Sequence, residues 1–141
     1  MLTLRPLNKK DIFLIARWLY EEHVASWIDS PEDWLAEIQD SDSLFTHAIV
    51  EVNGSAMAYC RFRKCGYTEY DVGYLIGALE YIPKGFDRVM LNRMLALLKA
   101  QGATSVSITP EKDDRAARQL LESCCFLWDG GFYSYFFSQA T

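Results

Sequence analysis

The chain contains only two histidines, His23 and His47, and they stand far apart. Its four cysteines, Cys60, Cys65, Cys124 and Cys125, fall at no spacing that suits zinc. No metal site is expected. The histidines read as packed or surface residues, and the cysteines as small core thiols kept reduced in a cytoplasmic setting. No apolar run approaches the ~18 residues that cross a bilayer. The opening MLTLRPLNKKD lacks the basic-then-apolar pattern of a secretory signal. The expectation is a cytoplasmic location with no membrane partner. Positive charge is also scarce, with 14 Lys and Arg against 19 Asp and Glu and a net charge of −5. That argues against a nucleic-acid partner held by overall charge.

What remains is a packed composition. Of 141 residues, 50% are hydrophobic, 14% aromatic and 23% charged, which excludes a disordered chain. The length fits a single domain over 1–141, large enough to fold without disulfide or metal staples.

Periodicity gives an order of elements. Leu2 and Leu4 alternate with polar residues in a first strand closed by Pro6. Ile12, Ile15, Ala16 and Leu19 share one helix face, with Asn8 as its cap. Ser30-Pro31-Glu32-Asp33 opens a second helix, because Ser30 can cap and Pro31 suits the first turn. THAIVEV (46–52) is a strand, Asn53-Gly54 a hairpin turn, and Ala56–Arg63 its partner. A strand over Asp71–Ile76 follows, then a loop from Leu79 to Lys84 and Gly85. The next helix carries Leu91, Met94, Leu95 and Leu98 and is stopped by Gly102. Ser105–Thr109 is a buried-type strand. A helix with Ala117, Leu120, Leu121 and Cys124 on one face comes next, and Phe132–Phe137 forms an aromatic last strand. The order β-α-α-β-β-β-α-β-α-β predicts an α/β (α+β) fold, a mixed and largely antiparallel twisted sheet flanked by helices.

Charge is uneven. Residues 21–42 hold eight acids and no Lys or Arg, while 84–118 hold seven of the 14 basic residues. These are either solvated helix faces, or an acidic wall for a cationic substrate beside a basic side for an anionic cofactor. The strand–loop–Gly85–helix segment is either a plain turn into a helix or a local instance of the second reading. A helix start presents free N–H groups and the positive dipole end, which suits phosphate, and Lys84 and Arg88 add charge.

Several segments together resemble the GNAT N-acetyltransferase superfamily. They are Trp18-Leu19-Tyr20 to Trp34, Tyr74-Leu75-Ile76-Gly77, the Gly85 helix start, and Thr109–Ala117 with Leu121–Phe126. The resemblance spans essentially the whole chain and is strongest to the small bacterial branch that includes aminoglycoside 6′-N-acetyltransferases. It implies acetyl-CoA as co-substrate and a small-molecule amine as acceptor. It places the pantetheine on backbone near Leu75, Ile76 and Gly77, and the pyrophosphate on the loop Lys84, Gly85, Phe86, Asp87 and Arg88, with Asp114 in the second motif.

The chain departs from that pattern at defined positions. The family's Arg/Gln-x-x-Gly-x-Gly/Ala is here Ile82-Pro83-Lys84-Gly85-Phe86-Asp87. Asp87 either faces the phosphates at a Coulomb cost or caps the helix and turns away, with Arg88 offsetting it. The family's Asn is Asp114, its thiolate-protonating Tyr is Leu121, and its Gly before Phe is Cys125. The aminoglycoside branch's candidate base aligns with Gly73. Asp71, two residues earlier and on the same strand face, is one candidate replacement and Glu80 in the loop another, and each also reads as a plain surface carboxylate. These departures keep open a catalytically degenerate binding module on the same fold. Trp18, Tyr20, Trp27 and Trp34 line an acceptor pocket or pack a helix face, and Tyr133 and Tyr135 face the cleft or the core. The aromatic C-terminal segment raises a homodimer as an expectation.

Overall fold

A computed structural model describes residues 1–25, 28–112 and 115–137. It contains β1 (Leu2–Pro6), α1 (Asp11–Leu19), α2 (Glu22–Ala25), α3 (Pro31–Gln39), β2 (Thr46–Val52), β3 (Ser55–Lys64) and β4 (Glu69–Ile76). A one-turn 3-10 helix (Leu79–Tyr81), α4 (Phe86–Ala100), β5 (Ser105–Ile108), α5 (Arg115–Ser123), β6 (Leu127–Trp128) and β7 (Tyr133–Phe136) follow. Every element that periodicity calls for is present, and α2, the 3-10 turn and β6 are additions too short to carry a period.

The strands form one seven-stranded sheet in the order β1-β2-β3-β4-β5-β7-β6. All neighbours are antiparallel except β4 and β5, which run parallel. The Asn53-Gly54 turn has positive φ at both positions, 51° and 85°, as a two-residue hairpin needs. Ser30 Oγ accepts the Asp33 N–H at 3.2 Å, with Pro31 in the first turn, so α3 begins as its sequence indicates. Asn8 acts slightly earlier than a cap of α1. Its side chain accepts from the Lys10 and Asp11 amides in the turn before the helix.

The sheet divides the apolar residues by period two. On one face Ile49, Tyr59 and Leu75 pack against Ile15, Trp18, Leu19, Val24, Trp34 and Ile38 of α1–α3. On the other, Val50, Cys60, Val72, Tyr74 and Ile76 pack under Met90, Leu91, Met94, Leu95 and Leu98 of α4 and Leu121 of α5. Burial in this second core pushes the Cys60 thiol up to about 12, so it stays a neutral hydrophobe. Among the described residues no helix is long and apolar enough to cross a membrane.

Both long helices on this face end in a left-handed residue. After α4, Gly102 adopts φ 95°, and the Gly102 and Ala103 amides return to the carbonyls of Lys99 and Leu98. After α5 the same hydrogen-bond pair forms from Cys125 and Phe126 to Glu122 and Leu121, but Cys125 carries a side chain at φ 68°. A left-handed non-glycine costs about 1–2 kcal/mol, more than the ~0.5–1 kcal/mol entropic cost of a glycine. Cys125→Gly is therefore expected to stabilise the fold by roughly 0.5–1 kcal/mol in urea melts. Equal or lower stability would mean that the exposed thiol contributes a contact of its own.

Candidate active site

β4 and β5 are paired only at their starts. Glu69, Tyr70 and Asp71 lie beside Ser105, Val106 and Ser107, and the described pairing of the two strands stops at Asp71. β4 itself continues to Ile76 against β3. The sheet therefore opens in its middle, and among the described residues no strand lies against that side of β4 past Asp71. Part of this stretch is already engaged. The Ile76 carbonyl is bonded to His23 Nε2 at 2.9 Å, and the Gly77 and Ala78 amides both reach the Met57 carbonyl. Leu75 has its side chain fully buried. The whole residue is buried, main chain included, and it pairs with Tyr59 of β3.

Gly77 is a steric requirement of the site. A Cβ built there would lie 1.8 Å from Cδ2 of Trp18, which is buried across the strand end. The indole of Trp18 thus rests directly on this backbone. That assigns Trp18 to packing, and Tyr20 points outward with its hydroxyl donating to Glu32. Trp27 lies outside the described residues, as does Asp114.

The 3-10 turn then leads to Gly85, the residue before α4, at φ 80° with open space where a Cβ would sit. The Gly85 amide bonds to the Ile82 carbonyl, and among the described residues nothing accepts from the amides of Phe86 or Asp87. The third amide is taken, because Arg88 N–H donates to Asp87 Oδ1 at 2.8 Å. Asp87 thus turns back onto the helix start, which fits the capping alternative and still leaves a negative charge there. Phe86 packs inward edge-on to Tyr81, and Lys84 Nζ lies 5.9 Å from the Tyr81 ring centroid. The helix start therefore offers free amides and two cations, offset by one carboxylate.

A cavity of about 250 Å³ sits where β4 and β5 part, on the α1–α3 face of the sheet. Gly73 forms its floor, with Arg61 and Arg63 from β3, Asp71 and Ser107 beside them, and Trp34, Phe45 and Glu111 as walls. Asp71 and Gly73 share this cavity, as their spacing on one strand predicts. Asp71 Oδ2 accepts from Arg63 at 3.3 Å and Oδ1 from the Ser107 hydroxyl. Glu111 accepts from Trp34 Nε1 at 2.7 Å and from the Asp29 amide at 3.0 Å, which straps the segment after β5 to α3.

Glu80 is elsewhere. It is exposed on the 3-10 turn and lines a separate, more open hollow of about 530 Å³ with Arg17, Trp18, Glu21 and Gly77. The two candidate carboxylates are therefore not brought together. Of the eight acids in 21–42, Glu21 lines this hollow and none lines the Gly73 cavity. Leu121 is buried in the core and has no proton to give. Tyr133 is likewise a core residue, while Tyr135 packs between Phe126 and Phe137.

Sequence reasoning passed over Arg61. The signal was the spacing Tyr59, Arg61, Arg63, which puts two cations on the face that Tyr59 buries. Only the strand register reveals that Arg61 lies directly beside Gly73. Around Arg61 the electrostatics are unusual. His47 is held below the ordinary imidazole value by burial and by the Arg61 charge. Its Nδ1 pairs with the Tyr59 hydroxyl at 2.6 Å, and burial pushes that phenol up.

No family model and no characterised protein matches the sequence itself. Solved structures do match the fold. Aminoglycoside acetyltransferase AAC(6')-Ib in complex with coenzyme A and kanamycin is 17% identical, with TM-score 0.80, over 96% of this chain and 95% of that one. Aminoglycoside N(6')acetyltransferase from Legionella pneumophila is 19% identical, with TM-score 0.80, over 94% and 89%. Spermidine N-acetyltransferase from Vibrio cholerae, in complex with CoA and spermine, is 19% identical, with TM-score 0.76, over 96% and 95%. The chain thus has the fold of these N-acetyltransferases across nearly its whole length, as the resemblance of its sequence implies.

Proposed function

We propose that the protein transfers an acetyl group from acetyl-CoA to an amine of a small acceptor, in a cytoplasmic setting. The observation that carries this reading is the parting of β4 and β5. It leaves one side of β4 without a neighbouring strand toward Leu75, Ile76 and Gly77, where the Ile76 carbonyl is held by His23, ahead of a helix start whose Phe86 and Asp87 amides have no acceptor among the described residues. A long chain with amides along it and a diphosphate at one end fits that arrangement. Lys84, Arg88 and the Gly85 backbone would hold the diphosphate, with Asp114 proposed in the same cofactor role. Acetyl-CoA supplies a thioester whose carbonyl carbon the amine lone pair attacks; the C–S bond breaks, its electron pair leaves on sulfur, and the amine gives up a proton. Asp71, in the Gly73 cavity, is the proposed acceptor of that proton, with Glu80 beside Gly77 as the alternative. A homodimer belongs to the same proposal, supported by the exposed Trp128 and Phe136 of β6 and β7.

A second reading, a binding module without turnover, is favoured by Asp87 on the Arg88 amide and by Leu121 in the core. Calorimetric titration with acetyl-CoA and with CoA is expected to show saturable binding; none at millimolar ligand would end the transferase reading. Asp87→Gly frees one amide and removes a like charge, and should tighten binding about fivefold or more. Unchanged affinity would place that carboxylate away from the phosphates. Release of CoA thiol with an amine present separates enzyme from module. Asp71→Asn should then lower kcat about 100-fold at unchanged acetyl-CoA affinity, and a loss seen in Glu80→Gln instead would move the role there.

A further inference from the structure

Arg61 crosses the floor of the Gly73 cavity. Its guanidinium carbon lies 3.9 Å from the Trp34 ring centroid and 4.7 Å from that of Phe45. The side chain can lie there because residue 73 has none. A Cβ at Gly73 would come within 3.0 Å of Arg61 Nε and 3.6 Å of Trp34. Rings against its face leave the N–H groups, which all lie in the guanidinium plane, as its remaining means of recognition.

The charges around it are already matched to other groups. Asp71 is committed to Arg63 and Ser107, and Glu111 to Trp34 Nε1 and the Asp29 amide. Among the described residues no carboxylate forms an ion pair with Arg61. Its Nε is buried with no hydrogen-bond partner at all. Buried donors are nearly always satisfied, and a guanidinium left short of acceptors at a cavity wall calls for an acceptor from outside the chain at its terminal N–H groups, since Nε itself is closed off beneath Gly73. The cavity, at about 250 Å³, is smaller than the ~300–1,000 Å³ that drug-sized ligands fill, so that acceptor belongs to a small molecule.

We infer that Arg61 receives a carboxylate carried by the amine acceptor, so that the substrate class is a small amino acid or a compound ending in one. The inference rests on the acetyl-transfer reading for the fate of the amine, but the carboxylate site stands on Arg61 alone. Arg61 pairs in register with Gly73, and Arg63 with Asp71. The carboxylate receptor and the proposed proton acceptor thus stand two residues apart along the strands, roughly 7 Å between main chains. Both line the same cavity, so an amine and a carboxylate a few bonds apart can address them together. Trp34 and Phe45 wall the space between with apolar surface.

The test uses the whole protein, with and without CoA. L-amino acids are compared with their C-terminal amides, with the matching decarboxylated amines, and with spermidine and kanamycin. Binding is followed by calorimetry and turnover by release of CoA thiol. At least one carboxylate-bearing amine is expected to bind about tenfold or more tightly than its amide, with the same preference in kcat/KM. Arg61→Gln should erase the difference by weakening the acid and not the amide, and Arg61→Lys should keep part of it. The comparison of acid with amide on the unaltered protein needs no variant and stands even if Arg61→Gln fails to fold. Equal binding of acids and amides, a preference for spermidine or kanamycin, or no carboxylate-dependent binding at millimolar ligand would each overturn the inference. Failure of CoA to bind would sink the transferase reading instead, while carboxylate binding to the CoA-free protein would still report on Arg61.

Discussion

Replacing Gly77 by alanine is expected to cost about 3 kcal/mol or more, the upper end of overpacking in a tight core. The reason is position and not backbone. Gly77 has no positive φ, so its requirement is for space alone. The added methyl would stand 1.8 Å from one Trp18 ring atom and about as close to two others, at 2.1 and 2.2 Å. Trp18 has little room to retreat, since Ile15, Leu19 and Leu75 surround it in the same core. The strand end must move, and with it the turn that leads to Gly85. Urea denaturation gives the cost, and the double variant identifies its cause. In a Trp18→Ala background, itself destabilised by roughly 3–5 kcal/mol, the Gly77→Ala step should cost under ~1 kcal/mol. An equal cost in both backgrounds would mean that something other than the indole rejects the methyl.

Asp11→Asn is the second large expected effect, and it carries a pH signature. Asp11 is buried, takes two N–H bonds from Arg5 at 2.8 Å each, and accepts the Asn8 amide at 2.8 Å. Its carboxyl is held below the ordinary value, first by the Arg5 hydrogen bonds, against burial, and then by the Asn8 amide. A depressed folded value contributes stability that is complete above the unfolded value of about 3.9 and is lost as pH falls through the folded one. Breaking a buried pair costs about 3–5 kcal/mol; Arg5 is one-third exposed and keeps Glu51, so about 2–3 kcal/mol is expected at neutral pH. The variant should also lose part of the native protein's acid destabilisation below about pH 4. Parallel stability curves for the two proteins between neutral and acid pH would show that the pair contributes nothing through Asp11 ionisation.

The sequence is legible wherever a local rule decides. Asn53-Gly54 needs only its own φ values, Ser30-Pro31 only the first turn of a helix, and Gly102 only the left-handed end of one. The sheet class follows from the order of those pieces. α2 is not legible, because four residues hold no period, and His23 within it matters through a carbonyl 53 residues away. The Gly85 helix start is visible from glycine and flanking charge, but what Asp87 does there depends on a side-chain torsion that no spacing encodes. The Gly73 cavity lies at the far limit. Asp71 and Gly73 are read from one strand, whereas Arg61 enters through cross-strand register and Trp34 through the way α3 lies on the sheet. Each reads as ordinary alone, and only the fold sets them around one space.

The divergence of β4 from β5 also bears on how this protein avoids sticking to itself. A strand with unsatisfied main-chain groups invites a foreign strand to dock, and chains commonly guard such borders with lysine or proline. Here the vulnerable border is interior to the sheet, with strands on both sides and helices above and below. Flanked in this way, it is shielded from the edge-to-edge pairing that an outer strand invites, and the edges left to guard are β1 and β6.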